Sequence, residues 1–123
     1  MSIARSAVLL TAALFVGAPS GAHHSGAIFD HDRMVTLTGK VREFQWTNPH
    51  CFIQVVVAGA SGEEEWSVEM GAPLQLYQAG WKPGTLKPGD DVTVVVHPAR
   101  DGTRGGLFLS ATAKGGAALG RQP

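Results

Sequence analysis

The chain has 123 residues, with ten Lys and Arg against ten Asp and Glu, five His and one Cys. That length suits one domain, and a neutral balance without a basic cluster excludes the positively charged face that neutralises nucleic-acid phosphates. A hydrophobic content of 44% with only 16% charged residues excludes a disordered chain, because there is enough apolar surface to bury.

Residues 1–22 have the layout of a secretory signal. Arg5 supplies the positive start, Ala7 to Ala18 is apolar apart from Thr11 and Gly17, and Ser20-Gly21-Ala22 offers small residues before a cut. The apolar stretch is about a dozen residues, short of the roughly 20 that span a bilayer as a helix. The expected product is a periplasmic or secreted protein, without stable membrane insertion, that begins at His23. Its 101 residues can bury one core unaided. Cys51, alone in an oxidising compartment, has no intramolecular disulfide partner. It opens an apolar run and reads as a buried small hydrophobe, with dimerisation through it as the alternative.

An arm, residues 23–33, leads into a domain expected over residues 34–114. In the first strand, Val35, Leu37, Gly39 and Val41 share one face; Phe44 and Trp46 then carry the apolar character onto the other. A phase switch beside a strand glycine predicts a bulge or sharp bend. The second strand, Cys51 to Ala58, is apolar on both phases except for Gln54 and should be central. After the Gly59–Gly62 turn, Trp66, Val68 and Met70 share one face of the third strand, which turns Glu69 away from the core. Pro73 at a helix start and Gly80 at its stop predict two helical turns over Ala72 to Ala79. Two Pro-Gly turns follow. Val92, Val94 and Val96 then define a fourth strand, with His97 as a strand terminus of no assigned role, and Leu107, Leu109, Ala111 and Ala113 a fifth. Residues 115–123 read as a flexible tail of small residues.

Five strands, with a helix only between the third and fourth and a first strand long enough to bend between two sheets, fit an all-β, five-stranded OB-like Greek-key barrel. A small sandwich or meander with the same strand count also fits the pattern. The motifs along the chain carry a resemblance. His23-His24-Ser25, Phe29-Asp30, Val35-Thr36-Leu37-Thr38-Gly39, Trp46-Thr47-Asn48-Pro49-His50, Trp66-Ser67-Val68-Glu69, Gly80-Trp81, Leu86-Lys87-Pro88-Gly89-Asp90 and Asp101-Gly102 together resemble the small exported bacterial proteins grouped as the DUF6152 family, from His23 to about Lys114. The resemblance implies a bacterial cell-envelope setting and no particular activity.

The chemistry is read from the residues themselves. Cleavage after Ala22 would leave His23 with a free α-amine beside its imidazole, and the two nitrogens can grip one metal ion. A third nitrogen from another histidine would give the T-shaped or square-planar arrangement that suits Cu(II). His24 adds an imidazole next door, and His50, in the connection between the first two strands, is the expected distant partner. The bland alternative is that His23 and His24 are polar residues at a loose terminus. Reach is the geometric question, since a straight first strand spans about 40 Å and the arm extends at most roughly as far; coiling of that strand around a barrel would shorten the distance. Asp30, His31 and Asp32 form a nearer cluster of ligand-type groups, though they read more simply as a polar turn.

In an OB-type barrel the connections between strands one and two and between strands four and five flank the usual binding face. That brings Arg100, Asp101 and Arg104 toward the rim of His50 and Asn48; Trp46 offers an indole face for stacking and Glu69 a carboxylate turned from the core, and these six are the candidate ligand-binding residues. There is no G-x-S-x-G elbow, H-E-x-x-H pair, CxxC motif or phosphate loop before a helix. The first expectation is therefore a noncatalytic envelope protein that coordinates a transition metal, copper, through His23, His24 and His50. The second is a metal-independent module that binds an envelope protein or a small ligand. A copper-dependent oxidative enzyme comes last, because so short a chain leaves little surface for substrate.

Overall fold

The computed structural model describes residues 25–120. The expected signal, His23 and His24 lie outside the described residues. A single 3-10 turn, Ser25–Ile28, precedes β1 (Val35–Gln45), β2 (Phe52–Gly59), β3 (Gly62–Glu69), α1 (Pro73–Gln78), β4 (Asp91–Pro98) and β5 (Gly105–Ala113). The strands close a barrel in the order β1-β2-β3-β5-β4. Only β3 and β5 pair in parallel, over Ser67–Glu69 and Gly105–Leu107; the other four pairings are antiparallel. The fold is thus all-β with one short helix, on the OB-type plan expected from the sequence.

Period-two alternation fills the barrel. Leu37 and Val41, Ile53 and Val55, Val68, and Val92, Val94 and Val96 point inward and are buried. The phase switch in β1 is a bulge between Val41 and Glu43, three places beyond the glycine beside which it was expected. Gly39 serves a different purpose. A methyl group there would collide with the Val56 carbonyl oxygen, so the missing side chain lets β1 lie close against β2. Beyond the bulge, Phe44 and Trp46 pack against the core.

β5 departs from its expected alternation. Gly106, Phe108 and Ala111 are its buried residues, while Leu107 and Leu109 are half-buried. The cause is a second irregularity, where Val96 pairs with Phe108 but Val95 pairs with Ser110, so that Leu109 is the extra residue. The described chain after β5 is paired, and residues 121–123 of the expected tail lie outside the described residues. It turns back so that the Ala113 amide donates to the Ala117 carbonyl and the Leu119 amide to the Ala111 carbonyl, and Thr112 bridges Ala118. Much of β5 beyond its short pairing with β3 would otherwise be an open edge.

α1 closes one end of the barrel. Pro73 stands at its first position, the Gln75 side chain accepts the Ala72 amide at 3.1 Å, and Gly80 with φ 90° ends it. Leu76 on its inner face and Trp81 just after it are buried with the strand residues. Trp81 packs edge-on to Phe108 at 5.5 Å between ring centroids and tilted to Phe44 at 5.9 Å. It stands just before the Lys82–Thr85 turn, and its ring belongs to the core.

The pairing register decides what lies near what. His97 pairs with Leu107, Leu107 with Glu69, and Glu69 with Phe52. Phe52 in turn pairs with Gln45 at the end of β1. A row that starts beside the first residues of β1, which pair with the end of β4, therefore returns to β1 at its far end. The stagger of a closed barrel produces this, and it brings the arm, the β1–β2 connection and the β4–β5 connection to one rim.

Candidate functional site

His50 is held from both sides. The Cys51 amide donates to the Gly71 carbonyl at 3.0 Å and the Met70 amide to the Cys51 carbonyl at 2.8 Å, which pins the start of β2 beside the end of β3. The Thr47 hydroxyl donates to the His50 carbonyl at 2.7 Å and closes the connection. The ring Nδ1 lies 3.1 Å from the Met70 carbonyl oxygen. A carbonyl can only accept, so Nδ1 carries the proton, and neutral His50 keeps its lone pair on Nε2. The Glu69 carboxylate stands 3.8 Å from Nδ1, its side chain 13% exposed against 39% for the imidazole. A backbone carbonyl that fixes the tautomer, with a carboxylate behind it, is how proteins orient a ligating histidine.

Glu69 faces outward, as its strand phase predicted. Beside it on the same face the Gln54 amide donates to Gln45 Oε1 at 3.0 Å and to Ser67 Oγ at 3.1 Å. Trp46 is half-buried and meets Phe44 edge-on at 5.7 Å between ring centroids. Asn48 is exposed in the loop.

The β4–β5 loop residues turn to partners of their own. The Arg100 amide donates to the Ile28 carbonyl, and its guanidinium lies 4.0 Å from the Asp30 carboxylate. Asp101 accepts the Thr103 amide at 3.0 Å and the Thr103 hydroxyl at 2.7 Å, which holds its carboxyl below the usual carboxylate range. Arg104 donates to Glu64 at 3.0 Å; that bond and the paired charge lower the Glu64 carboxyl and raise the guanidinium. The structure thus brings His50 and Glu69 together, with Trp46 and Asn48 in the adjoining loop. Arg100, Asp101 and Arg104 organise the opposite loop.

The arm is fixed on that opposite side. Phe29 is buried and bridges Ala99, and the Asp30 amide donates to the Pro98 carbonyl at 2.8 Å. Following the register, His97 lies two strand spacings from Glu69 by way of Leu107, about 10 Å. His23 is three residues from Gly26, a span of at most about 11 Å. Among the described residues, no three His, Cys, Asp or Glu side chains stand close enough to share a metal ion.

Two features escaped the sequence. One is a groove of about 660 Å³ at the end of the barrel away from His50, lined in part by Thr38, Lys40, Val56, Asp91, Thr93 and Lys114. Its only sequence signal was Gly39. The other is the contact of His31 with His97, whose rings lie 5.0 Å apart between centroids; no local pattern relates positions so distant in the chain.

The model of a family of unknown function, DUF6152, matches residues 12–110. The chain belongs to the DUF6152 family. The match covers β1 through β4 and all but the last residues of β5. No curated protein and no solved structure matches the chain. DUF6152 membership leaves its chemistry to be read from the rim.

Proposed function

We propose that this DUF6152 protein is an exported, noncatalytic binding protein of the bacterial cell envelope that coordinates a transition metal, copper, at the rim of its barrel. The observation that carries the reading is the anchoring of His50. Its Nδ1–H is spent on the Met70 carbonyl with Glu69 behind it, which leaves Nε2 as a positioned lone-pair donor. The amine and imidazole of a mature N-terminal His23 would supply two further nitrogens, His24 standing next to them, and the arm leaves the barrel on the same rim. An amine must lose its proton to ligate, so affinity for Cu(II) rises with pH toward about 8.

The test is a Cu(II) titration followed by electron paramagnetic resonance. It uses protein recovered from the periplasm with His23 verified as its first residue, alongside His50→Ala. The expected result is one tightly held Cu(II) per chain with an axial, nitrogen-rich spectrum that changes in the variant. Binding that ignores His50 would reduce the copper to an accident of the terminus.

The groove of about 660 Å³ favours a second reading. With its mixed apolar, hydroxyl and charged lining, it suits a metal-independent module for a small ligand or an envelope protein. The melting temperature separates the two: a saturating metal stabilises the folded state by several kcal/mol, and an irrelevant one leaves it unmoved.

A further inference from the structure

The two histidines that the proposed copper site does not use come together at the foot of the arm. His31 belongs to the turn between the 3-10 turn and β1, and His97 to the outward phase of β4; their rings meet at 5.0 Å between centroids with 63° between planes. Each ring spends one nitrogen on a backbone carbonyl. His31 Nε2 lies 2.7 Å from the Gly26 oxygen and His97 Nδ1 lies 2.6 Å from the Arg33 oxygen. Both acceptors are carbonyls, so both nitrogens carry protons, and the lone pairs of the neutral rings sit on His31 Nδ1 and His97 Nε2. Two imidazoles side by side, each with its tautomer fixed by a carbonyl, are prepared as ligating histidines are.

We infer that His31 and His97 form a two-histidine site for a borderline divalent cation such as Zn(II), separate from the His23 and His50 reading and independent of a free N terminus. With metal–nitrogen distances of about 2.0–2.1 Å and a tetrahedral angle, two ligating nitrogens stand roughly 3.4 Å apart. The 5.0 Å between ring centroids is on the scale at which two imidazoles can share one ion. His31 is exposed and His97 half-buried, so an ion has access. No third His, Cys, Asp or Glu of the described residues joins them, so solvent completes the coordination. The nearby Asp30 carboxylate is engaged with the Asp32 amide at 3.2 Å and with Arg100. The ion would staple the arm to β4, beside the existing backbone bridge between Phe29 and Ala99.

The substitutions that test the site keep its scaffold. His31→Gln places an amide nitrogen near the Nε2 position facing the Gly26 carbonyl, and His97→Asn places one near the Nδ1 position facing the Arg33 carbonyl. Each removes the free nitrogen. The mature chain is prepared with its α-amine acetylated, which removes that nitrogen as a ligand, and is titrated with Zn(II) by calorimetry and by NMR of the imidazole nitrogens. The expected result is one Zn(II) per chain with His31 Nδ1 and His97 Nε2 shifted. Affinity should fall roughly 10–100-fold or more in either variant, the range already met when an outer-shell partner is removed, and should hold in His50→Ala. Unchanged affinity in His31→Gln and His97→Asn, or a loss that follows His50→Ala, overturns the site. Loss of Cu(II) binding on blocking the amine bears only on the His23 reading, so the two fail separately.

Discussion

Cys51 is wholly buried at the start of β2, its thiol facing the Thr47 carbonyl at 3.8 Å. Burial pushes that thiol above its ordinary range, and the nucleophile of thiol chemistry is the thiolate. The native protein at pH 7 to 8 should therefore react with a disulfide reagent such as Ellman's only as fast as it unfolds, and at full rate in denaturant; prompt native labelling would contradict this. The burial was legible from the apolar run that Cys51 opens, and the outward turn of Glu69 from alternation alone. His97 was not legible, because its partner lies 66 positions earlier in the chain and only the strand order brings the two together. Nor was the full burial of Trp81, which follows a helix stop and precedes a Pro-Gly turn, a context that says loop to any local reading.

At the scale of elements, α1 is a plug rather than an independent helix. Six residues are too few to be stable in water, so its form depends on burying Leu76 under the barrel. Leu76→Ala should cost about 2–5 kcal/mol, the usual range for deleting a buried leucine side chain, read as a lower urea midpoint with an unchanged slope. β1 depends on an absence. Gly39→Ala drives a methyl group into the Val56 carbonyl, and because backbone cannot rotate aside as a side chain can, the cost should be about 1–3 kcal/mol by the same measurement. Both elements announced themselves in the sequence, the helix by Pro73 and Gly80 and the bent strand by its phase switch. The β5 irregularity did not, since Leu107, Leu109, Ala111 and Ala113 alternate without a break. The shift appears only when β4 fixes which of them face inward.

Across the whole molecule, charged groups tie strands distant in sequence. Lys40 of β1 and Lys114 after β5 both meet Asp91 at the head of β4, at 2.7 and 3.7 Å. Arg104 of the β4–β5 loop holds Glu64 of β3 at 3.0 Å, and Arg42 holds Glu65. The hydrogen bond and charge of Lys40, with Lys114 behind them, lower the Asp91 carboxyl below its usual range, and Arg104 does the same to Glu64. A carboxyl whose folded pKa lies below its unfolded one adds stability that is complete above the unfolded value, about 4 for Asp and Glu, and is lost as pH falls through the folded value. Stability from these pairs should therefore be level from neutral pH down to about 5 and decline below about 4. The Lys and Arg side chains are solvent-exposed and Glu64 and Asp91 partly so, so each contribution is small and screened. Carboxyl NMR across an acid titration should show Asp91 and Glu64 protonating below the usual carboxylate range. Adding salt, or making Lys40→Ala, should move Asp91 back toward the ordinary range and flatten the acid limb of the melting curve; an Asp91 that titrates unchanged in Lys40→Ala would remove this pair from the account of acid stability.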